Sequence, residues 1–121
     1  HQEALLARRV AQLRGDSAAR VAFPEVALEA LMVDDPEAAR RFAARELGPL
    51  AAEDDATRRL ASTLAIFLDE SASFARAARR LGVHTNTVTY RVHRAEELLG
   101  HPATERQLEL RMALRLVGLL D

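Results

Sequence analysis

The sequence contains no cysteine, no lysine and no tryptophan, and aromatic residues make up only 4% of its 121 residues. Without cysteine, disulfides, thiolate metal sites and a cysteine nucleophile are excluded. No apolar run approaches the roughly 20 residues of a membrane span, and no signal-peptide pattern is visible, so we expect a cytoplasmic protein. Runs of β-branched residues are nearly absent, and Ala and Leu dominate the 49% hydrophobic content. This composition predicts an all-α fold with a hydrophobic core.

The net charge of −1 conceals an uneven distribution along the chain. Residues 1–70 hold 9 Arg against 13 Asp and Glu, whereas residues 71–101 hold 5 Arg against 2 Glu. Arginine suits phosphates and guanine edges because its guanidinium group can bind them through two hydrogen bonds. The whole chain is nevertheless far from the strongly basic balance of a non-specific nucleic-acid binder. We therefore expect any DNA binding to depend on a local basic patch and on dimerisation.

Residues 73–100 contain this basic island and read as a short helix, a turn and a longer helix. Ser73 or Ser71 is a suitable cap for the first helix, and Gly82 suits a sharp turn because glycine adopts a positive φ at little cost. At 3.6 residues per turn the first helix has an apolar back and a basic front. The back comprises Phe74, Ala77, Ala78 and Leu81, and the front comprises Arg76, Arg79 and Arg80.

The second helix of this stretch is predicted to begin at Thr85 or His84 and to end at Gly100. It also has two distinct sides. An apolar stripe is formed by Val88, Val92, Ala95 and Leu99, and the opposite side carries Asn86, Thr89, Tyr90 and His93. Two helices joined by a tight glycine turn are typical of a helix-turn-helix, in which the second helix enters the major groove of DNA.

The segments before this motif are predicted as helices separated by breaks. Residues 1–14 form an amphipathic pattern, and such a short helix needs a surface on which to dock. A second apolar segment covers residues 22–33. Asp35-Pro36-Glu37 then predicts a capped helix start, and that helix runs to Leu47. A short helical turn is expected around Leu50.

Asp54 and Asp55 predict the start of the next helix, over residues 56–70. Its predicted buried stripe comprises Leu60, Leu64 and Phe67, widened by Ile66 and Leu68. After the motif, Thr104-Glu105-Arg106-Gln107 matches a capping box, which predicts a last helix over residues 104–120. That helix is apolar on two sides, one with Leu108, Met112, Leu116 and Leu119 and the other with Leu110, Leu114, Val117 and Leu120. A helix apolar on two sides is either buried or self-associating, so we expect a homodimer contact here or burial within the monomer.

Other kinds of chemistry find little support in the sequence. His84, His93 and His101 are spaced by nine and eight residues, which is not the spacing of a helical metal pair, and the paired aspartates are explained by helix capping. No glycine-rich phosphate loop and no nucleophile with an adjacent base is visible. We therefore expect neither an enzyme, nor a metal site, nor a cofactor.

The string from His84 to Val92, HTNTVTYRV, followed by EELLG up to Gly100, resembles the C-terminal helix-turn-helix of PucR-type transcriptional regulators, which include purine-catabolism and sugar-diacid regulators. Residues 47–50, 60–68 and 110–120 are also similar to that family. The resemblance implies an all-α helical bundle containing a Fis-like helix-turn-helix at residues 73–100. It departs from the family at Thr85 and Thr89, where basic residues are usual, and at Ala95, where a branched aliphatic residue is usual.

What the resemblance implies is a sequence-specific DNA-binding output domain of a bacterial regulator, with residues 85–99 as the recognition helix. Because the chain begins at His1 and not at Met, we expect a fragment of a longer protein. Residues 1–24 are then the end of an upstream region, and residues 25–121 the DNA-binding domain. A small-molecule effector would act only through upstream domains. The alternative is a helical protein-interaction or dimerisation module that does not bind DNA.

Roles for individual side chains follow from the two helical faces. Phosphate contacts are expected near the recognition helix, including one from the backbone N–H groups of residues 85–87. For Arg91 a structural salt bridge is an alternative to a DNA contact, and for Tyr90 packing on a neighbouring helix is an alternative. The candidates for base edges are Thr85, Asn86, Thr89, Tyr90 and His93. The candidates for phosphates are Arg76, Arg79, Arg80, Thr87 and Arg94.

Overall fold

The computed structural model describes residue 30 and residues 34–120, with side chains as far as residue 118. The helix predicted over residues 1–14 lies outside the described residues. So do the boundary between residues 24 and 25 and, except for the helical Ala30, the segment 22–33.

Five helices and one 3-10 turn follow one another in this part of the chain, which contains no strand. None of the helices is long and apolar enough to cross a membrane. The elements are α1 (Pro36–Leu47), the 3-10 turn (Gly48–Ala51), α2 (Asp55–Asp69), α3 (Phe74–Leu81), α4 (Thr85–Leu99) and α5 (Gln107–Leu120). The prediction of an all-α fold is confirmed.

The helix starts are fixed by side chains that accept hydrogen bonds from backbone N–H groups, which have no partner inside the helix. Asp35 accepts from the Ala38 N–H at 3.1 Å, and Asp54 accepts from the Thr57 N–H at 3.0 Å. Ser73 caps α3 and accepts from the Arg76 N–H at 3.1 Å. Ser71, the alternative cap, instead lies in the turn before α3 with a φ of 57°. The helix starts predicted from these short patterns are thus confirmed to within one residue.

The hydrophobic core lies where α2 packs against α4 and α5, and where α1 packs against α5. Leu64, Phe67 and Leu68 are buried as predicted, but Leu60 and Ile66 are only half-buried and Thr63 is buried in their place. The largest fully buried apolar side chains are Leu47, Leu50, Leu64, Val88, Val92, Leu110 and Leu116. This core surrounds one side of α4 and holds that helix in position.

The prediction for the last helix is wrong in two respects. The helix begins at Gln107 and not at residue 104, because residues 103–106 form turns and Arg106 has a φ of 56°. The capping box at Thr104 therefore does not form. The buried line comprises Leu110, Met112, Ala113 and Leu116, while Leu114 and Val117 are half-buried and Leu108 is 63% exposed. Leu108 and Leu116, which were predicted to share one side, thus lie in different environments.

Candidate nucleic-acid interface

Helices α3 and α4 are joined by a tight turn that the residue types at two positions make possible. Gly82 adopts the left-handed conformation, with a φ of 69°. A Cβ atom at Gly82 would meet no atom within 4 Å, so it is the backbone conformation that favours glycine here. Ala78 is buried, and its carbonyl accepts from the Val83 N–H at 3.1 Å. The turn thereby folds back closely onto α3.

One side of α4 is embedded in the core. Val88, Val92 and Ala95 are at most 1% exposed, and Leu99 is half-buried. The predicted apolar stripe is therefore confirmed. The α3 helix is held to α2 by the rings of Phe67 and Phe74, whose centroids lie 4.7 Å apart. With one side of α4 buried in this way, the other side is presented to solvent.

The outward side of α4 is polar and aromatic. Asn86 and His93 are exposed, and Tyr90 is 68% exposed. The alternative that Tyr90 packs on a neighbouring helix is therefore wrong. The ring of His93 makes an edge contact with Phe74 of α3 at a centroid distance of 6.3 Å, which limits its freedom. No carboxylate occurs in α4 before Glu96, so the first three turns present no negative side chain.

A hydrogen bond within α4 joins Thr85 and Thr89, the two positions at which the sequence departs from the motif that it resembles. Thr89 Oγ1 donates to the Thr85 carbonyl at 3.1 Å. The hydroxyl proton of Thr89 is therefore already used within α4. What remains for a ligand is the methyl group and the accepting capacity of the oxygen.

The first turn of α4 corrects one prediction. The Asn86 N–H donates to Nδ1 of His84 at 3.1 Å, and the Thr87 N–H donates to the His84 carbonyl at 3.0 Å. Two of the three backbone donors that were expected to hold a phosphate thus already have partners. Sequence reasoning placed His84 at the helix start but missed its imidazole as the cap.

The arginines of the motif fall into two groups. Arg76 and Arg79 are exposed and form no ion pair with any described carboxylate. Arg80 pairs with Glu70 at 3.1 Å and with Asp69 at 3.6 Å. The free energy of such an exposed pair is about 0–1 kcal/mol, so a phosphate can compete for Arg80.

Two further arginines lie on α4 itself. Arg94 pairs with Glu97 at 2.8 Å, and both side chains are largely exposed. Arg91 is half-buried, and its Nη1 donates to Oγ1 of the buried Thr63 on α2 at 3.4 Å. Arg91 therefore has a structural contact, although its partner is a hydroxyl and not the carboxylate of a salt bridge. Arg94 remains at the surface with a weakly held partner.

The loop between α4 and α5 is anchored by two contacts that the sequence did not reveal. Glu96 accepts the N–H of the fully buried Ala103 at 2.7 Å. Arg106 donates to both carboxylate oxygens of Glu46, with Nε–Oε2 at 3.1 Å and Nη2–Oε1 at 2.6 Å. These hydrogen bonds lower the pKa of Glu46 and raise that of Arg106. The contacts tie the end of α4 to α1 through the loop.

Among the residues that the structure describes, no group of three or more His, Asp or Glu side chains is placed to hold a metal ion. The described surface also contains a cavity of about 330 Å³ between the 3-10 turn, α2 and α5. Its lining includes Leu50, Ala61, Leu114 and Val117 and no residue of α3 or α4. This apolar cavity is thus separate from the polar side of α4.

Comparison with known proteins gives a consistent picture. Residues 60–116 match the family described as the PucR C-terminal helix-turn-helix domain. The chain is 37% identical over 103 residues to an uncharacterized protein in the pkwA 5' region of Thermomonospora curvata, a match that covers 83% of this chain and 56% of that protein. It is 36% identical over 100 residues to the purine catabolism regulatory protein of Bacillus subtilis (strain 168), covering 81% of this chain and 18% of the relative. No solved structure matches the chain.

Proposed function

Residues 60–116 of this chain belong to the family of PucR C-terminal helix-turn-helix domains, and from this we propose that the chain is the sequence-specific DNA-binding output domain of a bacterial transcriptional regulator. The chain spans about half the length of one curated relative and about a fifth of the other. A longer protein with a ligand-sensing region upstream of this domain fits that proportion. We also propose that this protein is located in the cytoplasm.

The observation that carries the proposal is the outward side of α4. It combines an exposed amide, an exposed phenol and an exposed imidazole on one helix whose opposite side is fixed in the core. In the major groove, Asn86 can bind adenine through two hydrogen bonds, and the methyl group of Thr89 can contact that of thymine. Tyr90 and His93 can donate hydrogen bonds or stack, and Thr85 stands at the start of the helix. We propose α4 as the recognition helix on these grounds.

Phosphate contacts are assigned by charge and availability. Arg76 and Arg79 form no ion pair with a described carboxylate, so they can bind a phosphate without losing an existing contact. They are therefore the first candidates for phosphate contacts. Arg80 and Arg94 can exchange an exposed carboxylate for a phosphate, and the hydroxyl of Thr87 can add a neutral contact. Because these contacts are few, we propose that a homodimer binds a two-fold-symmetric site.

The last helix is the proposed dimer contact. Leu108 is 63% exposed, and Leu114 and Val117 are only half-buried beside the apolar cavity. A homodimer through α5 would remove this apolar surface from water. The polar side of α4 would stay free, since the cavity includes none of its residues.

Selection of bound sequences from a random duplex pool tests the proposal most directly. We expect one recurring motif for the 121-residue chain, and a different or weaker motif for the Asn86→Ala variant. Arg79→Ala should weaken binding similarly on all sequences and reduce the slope of log affinity against log salt by about 1. Arg59→Ala is the matched control, because Arg59 is also exposed and forms no ion pair with a described carboxylate but lies on α2. Recovery of no motif at low salt would overturn the proposal.

The apolar cavity and Leu108 favour one alternative, a helical interaction module that does not bind DNA. In that case Asn86→Ala and Tyr90→Ala leave any DNA affinity unchanged, while changes on α5 abolish an assembly. Leu108 and Leu114 are the residues to change for this test. Leu110 is unsuitable for this test, because it is fully buried and its replacement would destabilise the domain itself.

A further inference from the structure

The start of α4 differs chemically from the starts of the three preceding helices. Those helices are capped by the oxygen atoms of Asp35, Asp54 and Ser73, residue types that are strongly preferred at this position. At the start of α4 the acceptor is Nδ1 of His84, which lies 3.1 Å from the Asn86 nitrogen. The backbone of His84 is extended, with φ −70° and ψ 147°, as an N-cap residue requires.

We infer that His84 is a positioning residue for DNA recognition, and that it acts only as a neutral imidazole with its proton on Nε2. This inference rests on the proposed DNA-binding function. Nδ1 can accept from the Asn86 N–H only while it carries a lone pair. Protonation would make Nδ1 a donor and set two N–H groups against each other. It would also place a positive charge at the positive end of the helix dipole.

Among the described residues, no negative charge is paired with His84 to compensate an imidazolium at this position. The acidic groups at the end of α2, Asp69 and Glu70, pair with Arg80. The charged groups on the two helices that flank His84 are, as far as Arg94, all guanidinium groups, and the first carboxylate is that of Glu96. These guanidinium groups belong to Arg76, Arg79, Arg80, Arg91 and Arg94.

The effect on DNA recognition passes through Asn86. The same residue donates its backbone N–H to the cap and carries the side chain proposed to read a base. When the cap is lost, the first turn of α4 is free to open, and the Asn86 side chain leaves its fixed position. The apparent affinity for DNA then falls in proportion to the population of the ordered turn.

The test uses the 121-residue chain and two substitutions at one position. His84→Ala removes the acceptor, and His84→Asn restores a capping oxygen that does not titrate. By NMR we expect the amide of Asn86 to exchange with solvent about fivefold faster, relative to its intrinsic rate, in the Ala variant. The Asn variant should match the wild type. As the pH is lowered, the protection of Asn86 should fall in the wild type and stay constant in the Asn variant.

DNA binding is then measured with the duplex recovered by selection. We expect about fivefold weaker binding for His84→Ala and wild-type binding for His84→Asn. The inference is overturned if Asn86 protection or DNA affinity is unchanged in the Ala variant. The inference is also overturned if the Asn variant keeps the pH dependence, because that dependence would then belong to another histidine. It fails as well if the Asn variant keeps the protection of Asn86 but loses DNA binding, because the imidazole ring would then contact DNA directly. If the wild type binds no duplex while Asn86 responds as expected, the proposed function fails and the cap stands.

Discussion

Replacing Glu96 with alanine removes the acceptor that ties the end of α4 to the following loop. Glu96 receives the Ala103 N–H at 2.7 Å, and Ala103 is 0% exposed. In the Glu96→Ala variant the buried Ala103 N–H loses its hydrogen-bond acceptor and has no solvent exposure through which water could replace it. The loop therefore either loses a hydrogen bond or moves to find another.

The expected loss of stability follows from the strength of the hydrogen bond between the Ala103 N–H and the Glu96 carboxylate. A hydrogen bond to a charged group contributes about 1.5–3 kcal/mol, and an unsatisfied buried donor costs about 1–3 kcal/mol. Alanine is itself a good helix former, which offsets little of this loss. We expect the free energy of unfolding to fall by about 2 kcal/mol in Glu96→Ala. In Glu96→Gln, where a neutral oxygen can still accept, we expect about half that loss.

Urea unfolding followed by far-UV circular dichroism measures these differences as a lower midpoint at an unchanged slope. Glu97→Ala is the matched control, because the side chain of this neighbouring glutamate is 65% exposed and, among the described residues, pairs with Arg94 alone. Its loss should change the free energy of unfolding by less than about 0.5 kcal/mol. A Glu96→Ala variant as stable as Glu97→Ala would refute the assignment of Glu96 as the anchor of the loop.

Two further predictions concern the turn and the loop. Gly82→Ala should lower the free energy of unfolding by about 1–2 kcal/mol. The cause is the φ of 69° alone, since a Cβ atom here would meet no atom within 4 Å. Gly118→Ala is the control, because Gly118 lies inside α5 and is equally unobstructed; there the free energy of unfolding should rise by about 1 kcal/mol, and equal effects of the two changes in urea titrations would contradict this reasoning. Arg106 lowers the pKa of Glu46 chiefly through its hydrogen bonds, so the stability from this pair is present above the ordinary carboxyl pKa and is lost as the pH falls through the lowered one. Arg106→Ala should therefore lose less stability than the wild type on acidification through that range, and identical pH profiles of the unfolding midpoint would show that the pair contributes nothing.

The parts of the fold that the sequence predicted are those set by residues close together in the chain. Asp35 and Asp54 cap donors three residues away, so a short window contains both partners. The start of α5 was mispredicted because it depends on distant partners. Arg106 is held by Glu46, which lies 60 residues earlier, and this contact overrides the local capping pattern at Thr104.

The candidate interface divides in the same way. Helical periodicity predicted which side of α4 is buried, because Val88, Val92 and Ala95 recur at the helical period. Periodicity could not predict that Arg80 pairs with Glu70 while Arg79 pairs with no carboxylate in the described part of the chain. Nor could it predict that the imidazole of His84 turns back to the Asn86 N–H. These choices depend on side-chain rotamers and neighbouring helices, which a pattern of residue types does not contain.

If the proposed function is right, the ion pairs of Arg80 and Arg94 affect how the regulator finds its site in a cell. Attraction to DNA of any sequence grows with the number of phosphates that a protein neutralises. Here two of the exposed guanidinium groups of the motif are already balanced by carboxylates. A genome offers about 10⁶ to 10⁹ competing sites, and a domain with little general attraction to DNA spends less time on them. Fewer copies of such a regulator are then needed to keep one operator occupied.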